Sequence, residues 1–154
     1  MTSLDTTAID PIALLVEDHK QLVSLFTAFA QATSDDARLR IIDQASAALA
    51  VHSAIEEQVF YPAARNLVAD PQSVDKAIAE HAAAQNVMEE LAESHDSAKR
   101  VQQFGILVPL IQEHINTEER EIFPQCRGWP TRFDELGMEL QEAKRELSRV
   151  RQFL

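Results

Sequence analysis

HSAIEEQVFYP, residues 52–62, and HINTEEREIFP, residues 114–124, are two copies of one pattern, H-x3-E-E-x4-P, set 62 residues apart. Two further histidines, His19 and His81, stand at the same offset, each directly preceded by an acid, Asp18 and Glu80. Each half of the chain therefore supplies a lone His and, 33 residues later, a His and a Glu four apart. On a helix, positions i and i+4 share one face, so His52 points with Glu56 and His114 with Glu118. Four imidazoles and two carboxylates, doubled at one offset, read as a dinuclear metal centre. One such pair would be an ordinary surface contact and one lone His an ordinary buried residue. The doubled set is different, because six buried polar groups without a cation would be costly and a metal satisfies them together.

The rest of the chain supports a helical scaffold for that centre. Of 154 residues, 45% are hydrophobic and only three are Gly, which leaves little material for turns or strands and points to an all-α domain of ordinary size. Asp10-Pro11 opens a first helix that runs to about Ala32. Ser34 and Asp35 begin a second, which continues past Pro62 to about Leu67. Asp70-Pro71 opens a third, ending near Glu93. Val101 to Ile115 mark a fourth, expected to bend at Pro109 and to stop around Pro124. Beyond a Gly128-Trp129-Pro130 turn, Leu136, Leu140, Ala143, Leu147, Val150 and Leu154 form the seam of a fifth, amphipathic helix.

Short connections make consecutive helices antiparallel, so residues 10–125 are expected to form an up-down-up-down four-helix bundle. At about 1.5 Å per residue, all four histidines then lie roughly 12–15 Å from one end, in a single layer. Residues 131–154 carry none of the candidate ligands. They are expected to pack on the bundle or to pair two copies, leaving monomer and homodimer both open.

Composition excludes several partners. A net charge of −11 disfavours nucleic acid and anionic membrane surfaces. The N-terminus lacks the features of a secretory signal and the longest apolar run is too short for a bilayer, so a soluble, cytoplasmic protein is the simplest assignment. The single cysteine, Cys126, reads as structural.

Around the ligands, several residues have more than one reading. Glu57 and Glu119, about 100° round the helix from Glu56 and Glu118, are expected mainly as surface acids, with hydrogen bonding to a histidine as the alternative. Asp18 and Glu80 divide in the same way. An ideal helix aims Tyr61 away from Glu56, so packing is expected there rather than a role as metal ligand or electron donor. His95 reads as a loop residue.

The order H, H-x3-E, H, H-x3-E with a trailing E-x4-P resembles the hemerythrin-like, or HHE cation-binding, domain family over about residues 10 to 125. That resemblance implies a non-haem di-iron site with His19, His52, His81 and His114 as terminal ligands. Glu56 and Glu118 would be bridging carboxylates, and an oxo, hydroxo or water bridge would complete the centre. Imidazoles and carboxylates without thiolates suit iron or manganese, so manganese or mixed occupancy is an alternative. The oxygen-carrying members have a further histidine one turn after the third-helix His and an aspartate in the last unit, where this chain has Gln85 and Glu118. The expected function is therefore binding of and reaction with O2, peroxide or nitric oxide, in sensing or redox defence. Iron sensing, donation or storage, and true peroxide- or nitric-oxide-consuming turnover, are the alternatives.

Overall fold

The computed structural model describes residues 9–127 and 133–152; the expected Gly128-Trp129-Pro130 turn and Leu154 lie outside them. It is all-α, with no strand among the described residues. The helices are α1 (Pro11–Gln31), α2 (Asp35–Ile55), α3 (Tyr61–Leu67), α4 (Pro71–Glu93), α5 (Ser97–Thr117), α6 (Phe123–Cys126) and α7 (Phe133–Gln152). Two wide π turns, Glu56–Phe60 and Glu118–Ile122, join α2 to α3 and α5 to α6 without breaking the helical path. Four helical rods thus form the bundle, and α7 is a fifth that lies against α1, α2 and the first π turn.

Each rod begins where a short polar side chain takes up orphan amides. Asp10 accepts from Ile12 and Ala13 N–H, Ser34 from Ala37, Asp70 from Gln72, and Asp96 from Ala98 and Lys99. Such caps contribute about 1 kcal/mol each. Proline follows the cap at Pro11 and Pro71, where its missing N–H costs nothing. Pro109 sits inside α5, which continues through it.

Two apolar clusters fill the interior. One gathers Leu15, Ile55, Phe60, Phe123, Leu136 and Leu140 at the α7 end; the other gathers Leu22, Phe26, Ile42, Leu49, Phe104 and Leu107. Between them lies a polar layer of His19, His52, Glu56, His81, His114 and Glu118, all buried. The seam of α7 is buried at Leu136 and Leu140, half-buried at Ala143 and Leu147, and open at Val150.

Gly137 fixes how closely α7 approaches. A Cβ there would stand 1.8 Å from the Ile9 carbonyl oxygen, so the backbone leading into α1 crosses α7 at a point only glycine permits. Gly137→Ala must displace one segment or the other. Overpacking of this kind costs about 1–3 kcal/mol, and at this chain length each kcal/mol lowers Tm by about 2–4 °C. A thermal melt should show the variant several degrees less stable; an unchanged Tm would mean that this crossing yields freely.

Candidate metal centre

The two halves of the repeat interlock. Glu56 Oε1 lies 3.0 Å from Nε2 of His52, its own-helix partner, and 3.1 Å from Nε2 of His81, contributed by the other half. Glu118 Oε1 repeats the arrangement, 2.8 Å from Nε2 of His114 and 3.3 Å from Nε2 of His19. His19 and His52 form one imidazole pair, ring centroids 5.0 Å apart, and His81 and His114 a second, 4.4 Å apart. Each glutamate spans from one pair to the other. The site is therefore two histidine pairs joined by two shared carboxylates, with approximate twofold symmetry.

Every Nε2 faces inward because an outer carboxylate takes or faces the Nδ1 side. His52 Nδ1 donates to Asp18 Oδ2 (2.9 Å), His19 Nδ1 to Glu119 Oε1 (3.1 Å) and His81 Nδ1 to Glu57 Oε1 (3.2 Å). A carboxylate only accepts, so these contacts put the proton on Nδ1 and turn the Nε2 lone pair inward, as metal-binding histidines require. The fourth ring, His114, faces Glu80 Oε1 at 3.6 Å, an ion-pair distance beyond a hydrogen bond, while Thr117 Oγ1 donates to the other Glu80 oxygen.

Glu57 and Glu119, expected mainly as surface acids, thus have both properties: their side chains are 57% and 40% exposed, and their carboxylates still reach a histidine on a neighbouring helix. Asp18 and Glu80 also belong to this outer ring. The crossed pairing was hidden in the sequence because each second glutamate serves the lone histidine of the opposite half, 24 or 100 residues away.

Tyr61 departs from expectation most clearly. Its hydroxyl lies 3.1 Å from His81 Nε2 and 3.2 Å from His114 Nε2, and the residue is buried. The π turn is the cause: Tyr61 N–H bonds the carbonyl of Glu56, five residues back, and the wider turn brings its side chain round to the Glu56 face. The residue at the matching position of the second half is Phe123, whose ring stacks on His19 at 5.8 Å. One histidine pair thus faces a phenol and the other a phenyl ring. His95 lies exposed in the loop between α4 and α5. Cys126 ends α6, buried, its thiol pushed up to about 12 by burial and by the Glu118 charge.

Without a cation the layer is electrostatically unfinished. Buried His19 Nε2, His52 Nε2, Glu56 Oε2 and both Glu118 oxygens have no hydrogen-bond partner, although nitrogen and oxygen stand within 3.3 Å. The atoms converge without the alignment of hydrogen bonds, as donors around an ion do. Burial alone would lower the His52 pKa, yet Glu56 and Asp18 outweigh it and raise it to about 10. His114 is raised to about 11 in the same way by Glu118 and Glu56. The carboxylates thus favour a positive charge at His52 and His114, the role a cation would fill. His19, His52, Glu56 and Glu118 present ligand atoms within 4.8 Å of one another, as do Glu56, His81 and His114. Both groups have the donor set to hold a metal ion.

A helical bundle whose buried layer is built of paired histidines and shared glutamates defines a class of metal-binding protein. Residues 10–126 match the Hemerythrin HHE cation binding domain, and the chain belongs to that family. The fold is similar to the crystal structure of a Hemerythrin HHE cation binding domain-containing protein from Mycobacterium kansasii, with a TM-score of 0.77 at 19% identity, covering 94% of this chain and 91% of that one. No curated protein sequence matches the chain. Among the described residues, no helix is long and apolar enough to cross a membrane.

Proposed function

We propose that the chain is a non-haem di-iron protein that binds and reacts with small ligands, O2, peroxide or nitric oxide, in sensing or redox defence. The observation that carries this reading is the sharing of Glu56 and Glu118 between two histidine pairs, which suits two ions bridged by carboxylates. His19 and His52 would hold one ion, and His81 and His114 the other. The set is too rich in nitrogen for calcium or magnesium, and it lacks the thiolates common in structural zinc sites. Iron fits it, and manganese is the nearest substitute. A reduced iron pair, when bound, supplies electrons to a small oxidant.

The surrounding residues restrict what can arrive. A narrow cavity beside His52, His81 and His114 is walled largely by Leu22, Leu49, Ala84, Met88, Ile111 and Ile115. Its volume of about 10 Å³ is close to the room one water needs. That size favours diatomics and peroxide over organic substrates. Gln85, where the oxygen carriers have their extra histidine, is exposed and donates to Glu89, so no fifth imidazole completes the set there. Two histidines per ion leave room for an incoming ligand, which favours redox chemistry over reversible carriage of O2. The Tyr61 hydroxyl is the nearest phenolic proton to the second pair. Burial and the charges of Glu56 and Glu118 raise its pKa well above the ordinary phenol value, so it keeps that proton.

Metal analysis and visible absorption of protein purified without added metal, followed by anaerobic reduction and exposure to O2, H2O2 or nitric oxide, test the reading. Two irons per chain with an oxo-bridge charge-transfer band are expected. A stable, reversible adduct indicates sensing, and steady turnover an oxidoreductase. Iron lost quickly to a mild chelator, with no reaction, would favour iron sensing or donation instead. Tyr61→Phe should retain both irons while slowing reaction with peroxide by about 100-fold, the lower end for loss of one hydrogen-bond donor aimed at developing charge. An unchanged rate would reduce Tyr61 to packing.

A further inference from the structure

The approximate twofold symmetry fails at one outer carboxylate. Asp18 and Glu80 occupy equivalent places, each just before a lone histidine and each facing the H-x3-E histidine of its own half. Glu80 is held by a neutral donor, Thr117, and stands 3.6 Å from His114. Asp18 is held by a cation: Lys144 Nζ, on α7, donates to Asp18 Oδ1, while Oδ2 accepts from His52 Nδ1 at 2.9 Å. Each oxygen of this carboxylate thus has its own partner. Glu57 and Glu119 have no lysine or arginine contact among the described ion pairs.

The repeat contains no counterpart of α7. The helix is anchored near its start by buried Leu136 and Leu140 and by the glycine crossing at Ile9, and Lys144 lies one turn beyond Leu140 on the same side. Asp18, Lys144 and His52 line one open groove, of about 690 Å³, between α1, α2 and α7, with Gln21, Gln44 and Ser148 at its edges. The lysine side chain is 39% exposed, so substituting it opens no sealed cavity. The carboxylate that orients His52 is thereby tied to the position of a helix outside the ligand-bearing bundle.

We propose that Lys144 is a positioning residue for the metal centre: it holds Asp18 against His52, so that docking of α7 tightens the hold on the ion of the His19–His52 pair and not on its neighbour. The inference rests on the two-ion reading above. Outer partners of ligating histidines are worth about 10–100-fold in metal affinity, and Lys144 acts one contact further out, so an effect near tenfold is expected.

The full chain, loaded anaerobically with ferrous iron and challenged with a ferrous chelator, provides the test. In Lys144→Met, one iron per chain should leave about tenfold faster than in wild type while the other keeps its rate. Lys144→Arg should restore the slow phase. In an Asp18→Asn background, Lys144→Met should add nothing further, because the contact through which it acts has already been weakened. Wild-type release of both irons from Lys144→Met overturns the proposal. So does equal acceleration of both irons accompanied by a lower Tm of the metal-free protein, which would mean general loosening of α7, or a full Lys144→Met effect in the Asp18→Asn background. A wild-type chain that binds no iron would remove the two-ion reading itself, and this proposal with it.

Discussion

Glu56→Ala should lose both ions. Glu56 stands between the two histidine pairs, 3.0 Å from His52 and 3.1 Å from His81, and has no exposed surface. Partners in the outer ring of a metal site are each worth about 10–100-fold. A shared inner carboxylate should therefore cost more than about 100-fold at each position, enough to strip the protein during desalting. Glu118→Ala should behave alike, because Glu118 spans His114 and His19 in the mirror sense. Glu57→Ala, which removes only the outer partner of His81, should weaken metal binding by roughly tenfold. Iron content per chain after gel filtration, with circular dichroism to check folding, separates these results. Retention of two irons by Glu56→Ala would refute the bridging arrangement.

Metal-free and metal-loaded protein should respond oppositely to alkaline pH. In the metal-free chain His52 and His114 have folded pKa values of about 10 and about 11, above the 6.5 of an unfolded histidine. Groups raised on folding contribute stability that is complete below pH 6.5 and is lost as pH rises through the folded values. Glu56 is shifted the other way: burial alone would raise it, and the charge of His52 with the nearby imidazoles of His114 and His52 takes it well below 4.5. Its contribution is lost as pH falls below that value. Metal-free protein should therefore melt highest between about pH 4.5 and 6.5 and lose on the order of a few kcal/mol by pH 10.

An ion replaces those protons. Binding at a free metal concentration of 1,000 times Kd adds about 4 kcal/mol per site, or roughly 8–16 °C in Tm at this chain length. The alkaline decline should vanish, and instability should move to acid pH, where protons compete for imidazole nitrogen. Melting curves from pH 5 to 9, with chelator and with ferrous iron, measure both effects. A metal-free Tm that does not change between pH 6 and 9 would show that the imidazoles are not holding protons in the folded state.

The sequence revealed the scaffold and the inner ring for the same reason. A repeat of His and Glu at helical spacing needs only the 3.6-residue period and short connections to bring its six side chains to one layer. Asp10-Pro11 and Asp70-Pro71 likewise mark helix starts by local chemistry alone. What stayed hidden depends on departures from the ideal helix or on contacts between helices. Tyr61 seemed to face away because a 100° step per residue was carried through a segment that is locally wider. Glu57 and Glu119 point off the ligand face of their own helix, and only the packing of α4 and α1 beside them supplies their histidines. Lys144 could not be paired with Asp18 from sequence, since 126 residues and the docking angle of α7 intervene.

Each π turn amounts to a single extra residue accommodated within a helix that keeps its seat in the bundle. The width of the turn, as much as side-chain identity, therefore sets what lies beside the buried histidines. Excising one residue from Glu57–Val59 would put Tyr61 four positions after Glu56, where an ordinary helix keeps both on one face, so the ladder would close with Tyr61 still beside the second histidine pair. The same excision within Glu119–Glu121 would leave Phe123 against His19 in the same way. The fold thus holds two independent points at which the chain can lose one residue while the group beside each histidine pair keeps its place.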